Sequence, residues 1–368
     1  MITNLTTKSR ATRVRLLIIT QAVDRDDPIL GFFHRWVEEF AKHCEHIHVI
    51  CLKEGTHRLS SNVTVYPLGK SPLQGLPLES KGSPWIARMR YVWRFYKYIW
   101  SLRKEYDAVF IHMNPEYAIL GGFLWRIWGK RISLWYVHKS VTWRLRIGVI
   151  FTDIVFTAVP ESFRLASDKV IIVGHGIPTD MFLKKSPGPK GELRIVTVGR
   201  ISKSKRIIEM LSVLDALARE NVLFSFTIAG APAMPEDFAY EARLKAEVAS
   251  RPYVARVRFL GGIPHRDLPS ILADADIFLN LSKTGGVDKA VLEAMAAGVV
   301  PVTTNTAFRS ILGPLGLFSE KDSPDVLASA ILRARDADPE ALRAIVEKDY
   351  SLAALIPKIL SALAPTHI

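Results

Sequence analysis

The sequence predicts an α/β protein built from two doubly wound parallel sheets that face each other across a cleft. Three observations carry this expectation. Short β-branched apolar runs alternate with helical stretches, as they do where helices cover both faces of a parallel sheet. Near the middle, LKKSPGPKGEL (Leu183 to Leu193) breaks the alternation with prolines, glycines and lysines in the manner of an exposed linker, and the alternation then restarts. The 368 residues are long for one core and comfortable for two.

Taken in order, VRLLIIT (Val14 to Thr20) reads as a strand buried on both faces, followed by a helix over Phe32 to His43 and a second strand, IHVICL, from Ile47 to Leu52. The theme repeats in AVFIH (Ala108 to His112), RISLWYVH (Arg131 to His138), IVFTAV (Ile154 to Val159) and KVIIVGHGI (Lys169 to Ile177). After the linker the strands are LRIVTVG, FSFTIAG, VRFLGGI, ADIFLNLS and VVPVTTN, separated by helices such as SKRIIEMLSVLDALAREN. The final SLAALIPKILSALA reads as an amphipathic helix that folds back across the halves. The expected division is therefore a first domain at 1–182, a linker at 183–192, a second domain at 193–348 and a returning helix at 349–368.

About half the residues are apolar (49%), enough for burial to offset chain entropy without disulfide or metal staples. Cys44 and Cys51 are the only cysteines, in a setting too regular for a metal knuckle or a secreted framework, which points to a reducing cytoplasmic environment. A net charge of +13 favours an anionic partner: nucleic acid, anionic lipid or a phosphorylated small molecule. No nucleic-acid recognition motif accompanies the charge, so no nucleic-acid partner is expected. No run reaches the roughly 18 apolar residues of a spanning helix. The acid pairs at Asp24 and Asp26 and at Asp274 and Asp276 mimic metal ligands by coincidence of spacing, and no metal site is expected.

Two stretches carry chemistry. In VTVGRISKSKR a strand ends at Gly199, and Arg200 and Lys205 flank a turn that opens a helix. Free backbone N–H groups, a positive helix end and two cations suit a diphosphate, although a solvated basic turn has the same appearance. SKTGGVDKAVLEAMAAG (Ser282 to Gly298) joins a glycine turn to a helix start, with Glu293 about one and a half turns further in. The turn brings backbone close to a ligand, and the carboxylate can accept from the paired hydroxyls of a ribose. Together the two stretches describe a nucleotide-diphosphate pocket at the carboxyl ends of strands of one domain.

VGRISKSK followed some eighty residues later by GGVDKAVLEAMAAGVVPVTTN resembles the donor domain of the retaining GT-B glycosyltransferases of family 4. The resemblance implies a GT-B fold over nearly the whole chain, with an acceptor-binding first domain and a donor-binding second one. It implies that Arg200 and Lys205 hold the donor diphosphate and that Glu293 binds the ribose. Gly199 ends the strand before them, and Val287, Asp288, Lys289 and Ala290 match the backbone that approaches phosphates and sugar. Gly230, Ile263 and Pro264 match the walls around the base. In the first half, Gly31 matches the glycine loop after the first strand, His138 matches a strand end beside the transferred sugar, and His112 matches a second strand end that faces the cleft. The family's first of two paired glutamates falls at Gly285, next to Gly286, so the side chain that contacts the donor sugar is missing here and Asp288 is a candidate substitute. A second departure is His175, where the family commonly has asparagine. The implied reaction is metal-independent transfer with retention, with a nucleotide-diphosphate sugar as donor substrate, no cofactor, and a glycan or polyprenyl-linked acceptor, as in cell-envelope polysaccharide synthesis. A nucleotide-sugar-binding protein without transfer activity and a sugar-nucleotide epimerase on the same fold are the alternatives.

Ser83 to Lys104 contains no acid. At helical period Trp85, Met89, Val92, Trp93, Tyr96, Ile99 and Trp100 share one face, with Arg90, Arg94, Lys97 and Lys104 opposite. Such a helix either lies in an anionic membrane interface, which would place the protein peripherally on the inner face of the plasma membrane, or packs on a core with a solvated basic side.

Overall fold

The computed structural model describes residues 14–27, 30–70, 84–182, 191–283, 286–321 and 323–364. The first half holds a seven-stranded sheet of order β3-β2-β1-β4-β5-β6-β7, every strand parallel to its neighbours. The strands are β1 (Leu16–Val23), β2 (Ile47–Glu54), β3 (Val63–Pro67), β4 (Ala108–His112), β5 (Arg131–Trp135), β6 (Ile154–Thr157) and β7 (Val170–Ile172). In β1 the alternation of the pleat divides the side chains between two cores: Leu16 and Ile18 face one, Leu17 and Ile19 the other. Helix α1 (Phe32–His43) covers the first with Phe33, Trp36, Val37 and Phe40. Each of these contributes about 1.5–3 kcal/mol through burial. Helices α2 (Pro84–Ser101), α3 (Pro115–Ile127) and α4 (Trp143–Phe151) lie toward the second core.

The second half is a five-stranded parallel sheet of order β10-β9-β8-β11-β12. It comprises β8 (Leu193–Val198), β9 (Phe224–Ala229), β10 (Val257–Gly261), β11 (Ile277–Asn280) and β12 (Val300–Thr303), joined through α5 (Ile207–Arg219), α6 (Pro235–Ala249), α7 (Leu268–Ala273) and α8 (Lys289–Ala296). The helices α9 (Arg309–Leu312), α10 (Pro324–Arg333) and α11 (Pro339–Asp349) complete it. The last helix, α12 (Leu352–Leu363), leaves this half and buries Leu352, Leu355, Ile356 and Ile359 in the α1 side of the first. Strand order reverses between β1 and β4 and between β8 and β11, so each sheet opens a crevice at the carboxyl ends of those strands. The arrangement is a GT-B fold of two Rossmann-like domains.

Three local features depart from the expectations. Strand β3 is additional, because VTVYP is a half-exposed edge strand with polar alternation that no apolar run announces. The run to His138 ends as a strand at Trp135, and only Val170–Ile172 of KVIIVGHGI pairs in the sheet. In α2 the apolar face divides: Phe95 and Ile99 are buried, whereas Trp85 (68% exposed), Trp93 (63%) and Trp100 (54%) face outward. Arg94, expected on a basic solvent face, donates to the Leu68 carbonyl (2.8 Å). Most of the linker and Gly285 lie outside the described residues.

Candidate active site

At the end of β8 the chain runs directly against the end of β9. Gly230, at φ +158°, would carry a Cβ 1.8 Å from the Gly199 carbonyl oxygen, so no side chain fits there. Gly199 itself (φ +137°) lies under the Lys205 stem. This contact lets the turn 199–205 continue the sheet's hydrogen bonding, Gly199 N–H to Ala229 O (2.9 Å) and Ile201 N–H to Ala231 O (3.0 Å), and it sets Lys205 across the strand ends.

Lys205 Nζ donates to Asp288 Oδ2, joining the β8 turn to the turn before α8. Asp288 is the N-cap of α8: Oδ1 accepts from Ala290 N–H (3.4 Å), and Oδ2 also accepts from Asn280 Nδ2 (3.0 Å). A carboxylate thus stands where the free N–H groups and positive end of α8 favour an anion. Arg200 stays half-exposed, with Nε 3.5 Å from Asp237 Oδ2. Val287 is buried beside them, and the Gly286 carbonyl accepts from Asn305 Nδ2 (2.9 Å).

Glu293, on the same helix, is 3% exposed, and its Oε1 lies 2.6 Å from His265 Nε2 and 2.8 Å from Lys289 Nζ. Burial pushes this carboxyl up, but the Lys289 charge and the His265 hydrogen bond outweigh it and hold the group down at about 2. Ile263 and Pro264 precede His265 and bring it to that position, Ile263 by packing on the second-half core and Pro264 by starting the short turn His265–Asp267.

From the first half, Gly31 opens α1, and a Cβ there would meet the Asp27 carbonyl oxygen at 2.5 Å. Phe32 follows: its ring centroid is 4.2 Å from Lys289 Nζ and 6.5 Å from the His265 ring. A second bridge pairs Arg266 with Asp26. Between the halves a cavity of about 300 Å³ is lined by Gly31, His34, Arg35, Arg58, His265 and Arg266.

The two histidines at strand ends differ. His112 is buried, stacked on Phe33 (centroids 3.9 Å apart), with Nδ1 3.2 Å from Thr20 Oγ1; burial lowers it to about 3, so it is a neutral ring under the cleft. His138 is exposed, and its Nδ1 accepts from Ser140 N–H (3.0 Å), which leaves the proton of the neutral ring on Nε2. His175 is partly buried beside the Val287 backbone; burial lowers its pKa and the Lys289 charge lowers it further.

The structure therefore brings Lys205, Asp288, Lys289 and Glu293 together with Phe32 and His265. The motifs alone do not single out the last two. His265 lies inside LGGIPHRDL, and its proximity to Glu293 across 28 positions is a tertiary fact. Asn280, Thr303 and Asn305 are further additions, although each ends or follows an apolar strand with a polar side chain, which is a readable signal. Of the acid pairs, Asp24 lies 3.5 Å from Lys53 Nζ and Asp276 is held by Arg194.

Comparison with known proteins agrees with the fold. Residues 179–350 match the family model of the Glycosyl transferases group 1. One subunit of the phosphatidylinositol N-acetylglucosaminyltransferase of Arabidopsis thaliana is 25% identical over 189 residues, 51% of this chain and 38% of that one. The putative colanic acid biosynthesis glycosyltransferase WcaL of Escherichia coli K12 is 26% identical over 196 residues, 46% of each chain. The matched stretches thus span less than half the length of these relatives. Among solved structures, Anabaena Alr3699/HepE in complex with UDP and glucose superposes with a TM-score of 0.71 at 15% identity, over 96% of this chain and 100% of that one.

Proposed function

We propose that this chain is a glycosyltransferase that moves a sugar from a nucleotide-diphosphate donor to a glycan or polyprenyl-linked acceptor, with retention and without a metal. The observation that carries the reading is the Lys205–Asp288 pair at the start of α8 with ionised Glu293 on the same helix. A diphosphate replaces one anion, Asp288, by another at Lys205, and Glu293 accepts from the ribose hydroxyls as His265 and Lys289 give up Oε1. Gly230, Ile263 and Pro264 wall the base, His138 faces the sugar from the first half, and Gly31 and the buried His112 shape the cleft beneath it. As the bond from the anomeric carbon to the diphosphate breaks, the electron pair leaves on the diphosphate, where Lys205, Arg200 and the α8 N-terminus stabilise it. The acceptor oxygen forms the new bond, and its proton passes to the departing phosphate oxygen. Retention rests on the family resemblance. The matched family model and a structural neighbour holding UDP and glucose support a nucleotide sugar as donor.

The same reading places the protein in the cytoplasm, peripherally on an anionic membrane face. Among the described residues no helix is long and apolar enough to cross a membrane. Three helices of the first half nevertheless expose large apolar side chains: Trp85, Trp93 and Trp100 on α2, Phe123 on α3 and Trp143 on α4. Cations accompany them, with Lys97 over the Trp93 ring and Arg144 over Trp143. Interfacial aromatics beside cations suit lipid headgroups.

A screen of UDP-, GDP- and ADP-sugars, with CMP-sugars as monophosphate controls, tests the proposal by product analysis. Slow release of sugar from one donor, with transfer to a lipid-linked acceptor, is expected; a donor sugar converted to its epimer, or bound unchanged in the presence of acceptor extracts, overturns it.

A further inference from the structure

A chain of buried polar groups runs behind the diphosphate turn. Asn280 ends β11 and Thr303 ends β12, with Asn305 two residues beyond, and the three are 2%, 0% and 0% exposed. Asn305 N–H donates to Thr303 Oγ1 (3.0 Å), and Thr303 Oγ1 donates to Asn280 Oδ1 (3.1 Å). That bond fixes the orientation of the Asn280 amide and turns its Nδ2 toward Asp288 Oδ2 (3.0 Å), the atom that also takes Lys205. Asn305 forms a second arm: Oδ1 accepts from Ala307 N–H (3.2 Å), and Nδ2 donates to the Gly286 carbonyl (2.9 Å), holding the other end of the same turn.

Core packing alone does not call for these groups. Apolar side chains of similar size would fill the strand ends without desolvating amides and hydroxyls, and a buried polar chain is worth keeping where it fixes one geometry. Here the geometry fixed is that of a flexible four-carbon ammonium. Lys205 has rotamer freedom that would scatter its charge over the cleft, and Asp288, itself held by Asn280 and by the α8 cap, confines it.

We propose that Asn280 is a positioning residue for the donor diphosphate: through Asp288 it presets Lys205, and through Thr303 and Asn305 it links that charge to the Gly286–Asp288 turn. The inference rests on the diphosphate reading above, and the experiment separates the two. Full-length protein and its Lys205→Ala, Asn280→Leu and Asn280→Asp variants are titrated calorimetrically with UDP, GDP, ADP and CDP, and the matching nucleosides are followed by ligand-observed NMR.

Asn280→Leu is expected to weaken the preferred diphosphate about tenfold while leaving the nucleoside unchanged, because only the phosphate contacts pass through Lys205. Unchanged diphosphate binding, or equal loss for diphosphate and nucleoside, overturns the positioning role. Asn280→Asp decides the matter if the leucine variant does not fold. Its new carboxylate faces Asp288, so the pair holds a proton more tightly than either acid alone. Relative to wild type, diphosphate binding is expected to be weak at pH 8 and restored at pH 5.5, where the protonated acid donates in place of the amide; no restoration overturns the inference. Wild-type affinity in Lys205→Ala, or no binding of any probe to wild type, removes the diphosphate reading and this inference with it. Loss in Lys205→Ala with full binding in both Asn280 variants removes the inference alone.

Discussion

The second-half side of the cleft and the helical face of the first half break the burial rule in opposite directions. Around α8, Asn280, Thr303, Asn305 and Glu293 are polar, buried and bonded to one another or to cations. Across α2, α3 and α4, tryptophans and a phenylalanine are exposed. Buried polar groups cost free energy unless every bond is made, and they give in return a single geometry. Exposed aromatics forgo the free energy that burial releases, and contact with something apolar recovers it as adhesion without shape. In the reading proposed above, the first region holds the anionic donor in place and the second rests on a membrane surface, and a transferase acting on lipid-linked acceptors would use both.

The contrast can be broken at several points. The largest effect is expected for Lys205→Ala, which should lower kcat/KM by about 10²–10³-fold while melting stays within a few degrees of wild type; full turnover would detach the turn from catalysis. Removing the three tryptophans (Trp85, Trp93 and Trp100 to Ser) should reduce partitioning into anionic vesicles by about tenfold or more with donor affinity unchanged, measured by sedimentation and calorimetry. Equal loss of both would merge the two regions into one. Glu293→Gln should weaken donor binding about tenfold while keeping the side chain's shape, as a calorimetric titration would read.

pH sharpens the comparison further. Because Lys289 and His265 hold the Glu293 carboxyl near 2, below its ordinary 4.5, its share of stability is present above pH 4.5 and is lost as pH falls toward 2. Donor binding should therefore show no step from this group between pH 5 and 8. The smallest effect belongs to His112. Burial holds its folded pKa near 3, below the unfolded 6.5, so the unfolded chain takes up a proton that the folded chain refuses. Its contribution is full above pH 6.5 and erodes below it by at most about 1.4 kcal/mol per pH unit. Its ring signals in NMR should not titrate between pH 5 and 8; a midpoint near 6 would place the ring in water.

Much of this is legible in the residues. Helix α1 is readable from end to end because Phe33, Trp36, Val37 and Phe40 repeat at helical spacing, and β4 because AVFIH is a closed apolar run. Lys205, Asp288 and Glu293 stand inside two short motifs whose turns and helix start are local. Legibility fails where structure depends on distance along the chain or on ambiguous period. Phe32 reaches Lys289, and His265 reaches Glu293, only once the halves and loops have packed. Helix α2 carries apolar residues on most of its circumference, so the period does not show that Phe95 and Ile99 turn inward while the tryptophans turn out. Asp288 is legible as part of the turn before α8, and its bond to Lys205 becomes visible only when the β8 and β11 ends meet.

If the two strand-end turns of the second half form one diphosphate site, Lys205 must carry part of the affinity for a nucleoside diphosphate. Calorimetric titration of UDP, GDP, ADP and CDP into wild type and Lys205→Ala, without metal, asks this without relying on an acceptor. One nucleoside diphosphate should bind the wild type and lose at least about tenfold in affinity in the variant. Equal affinity in both proteins, or no binding to either, would contradict a shared site.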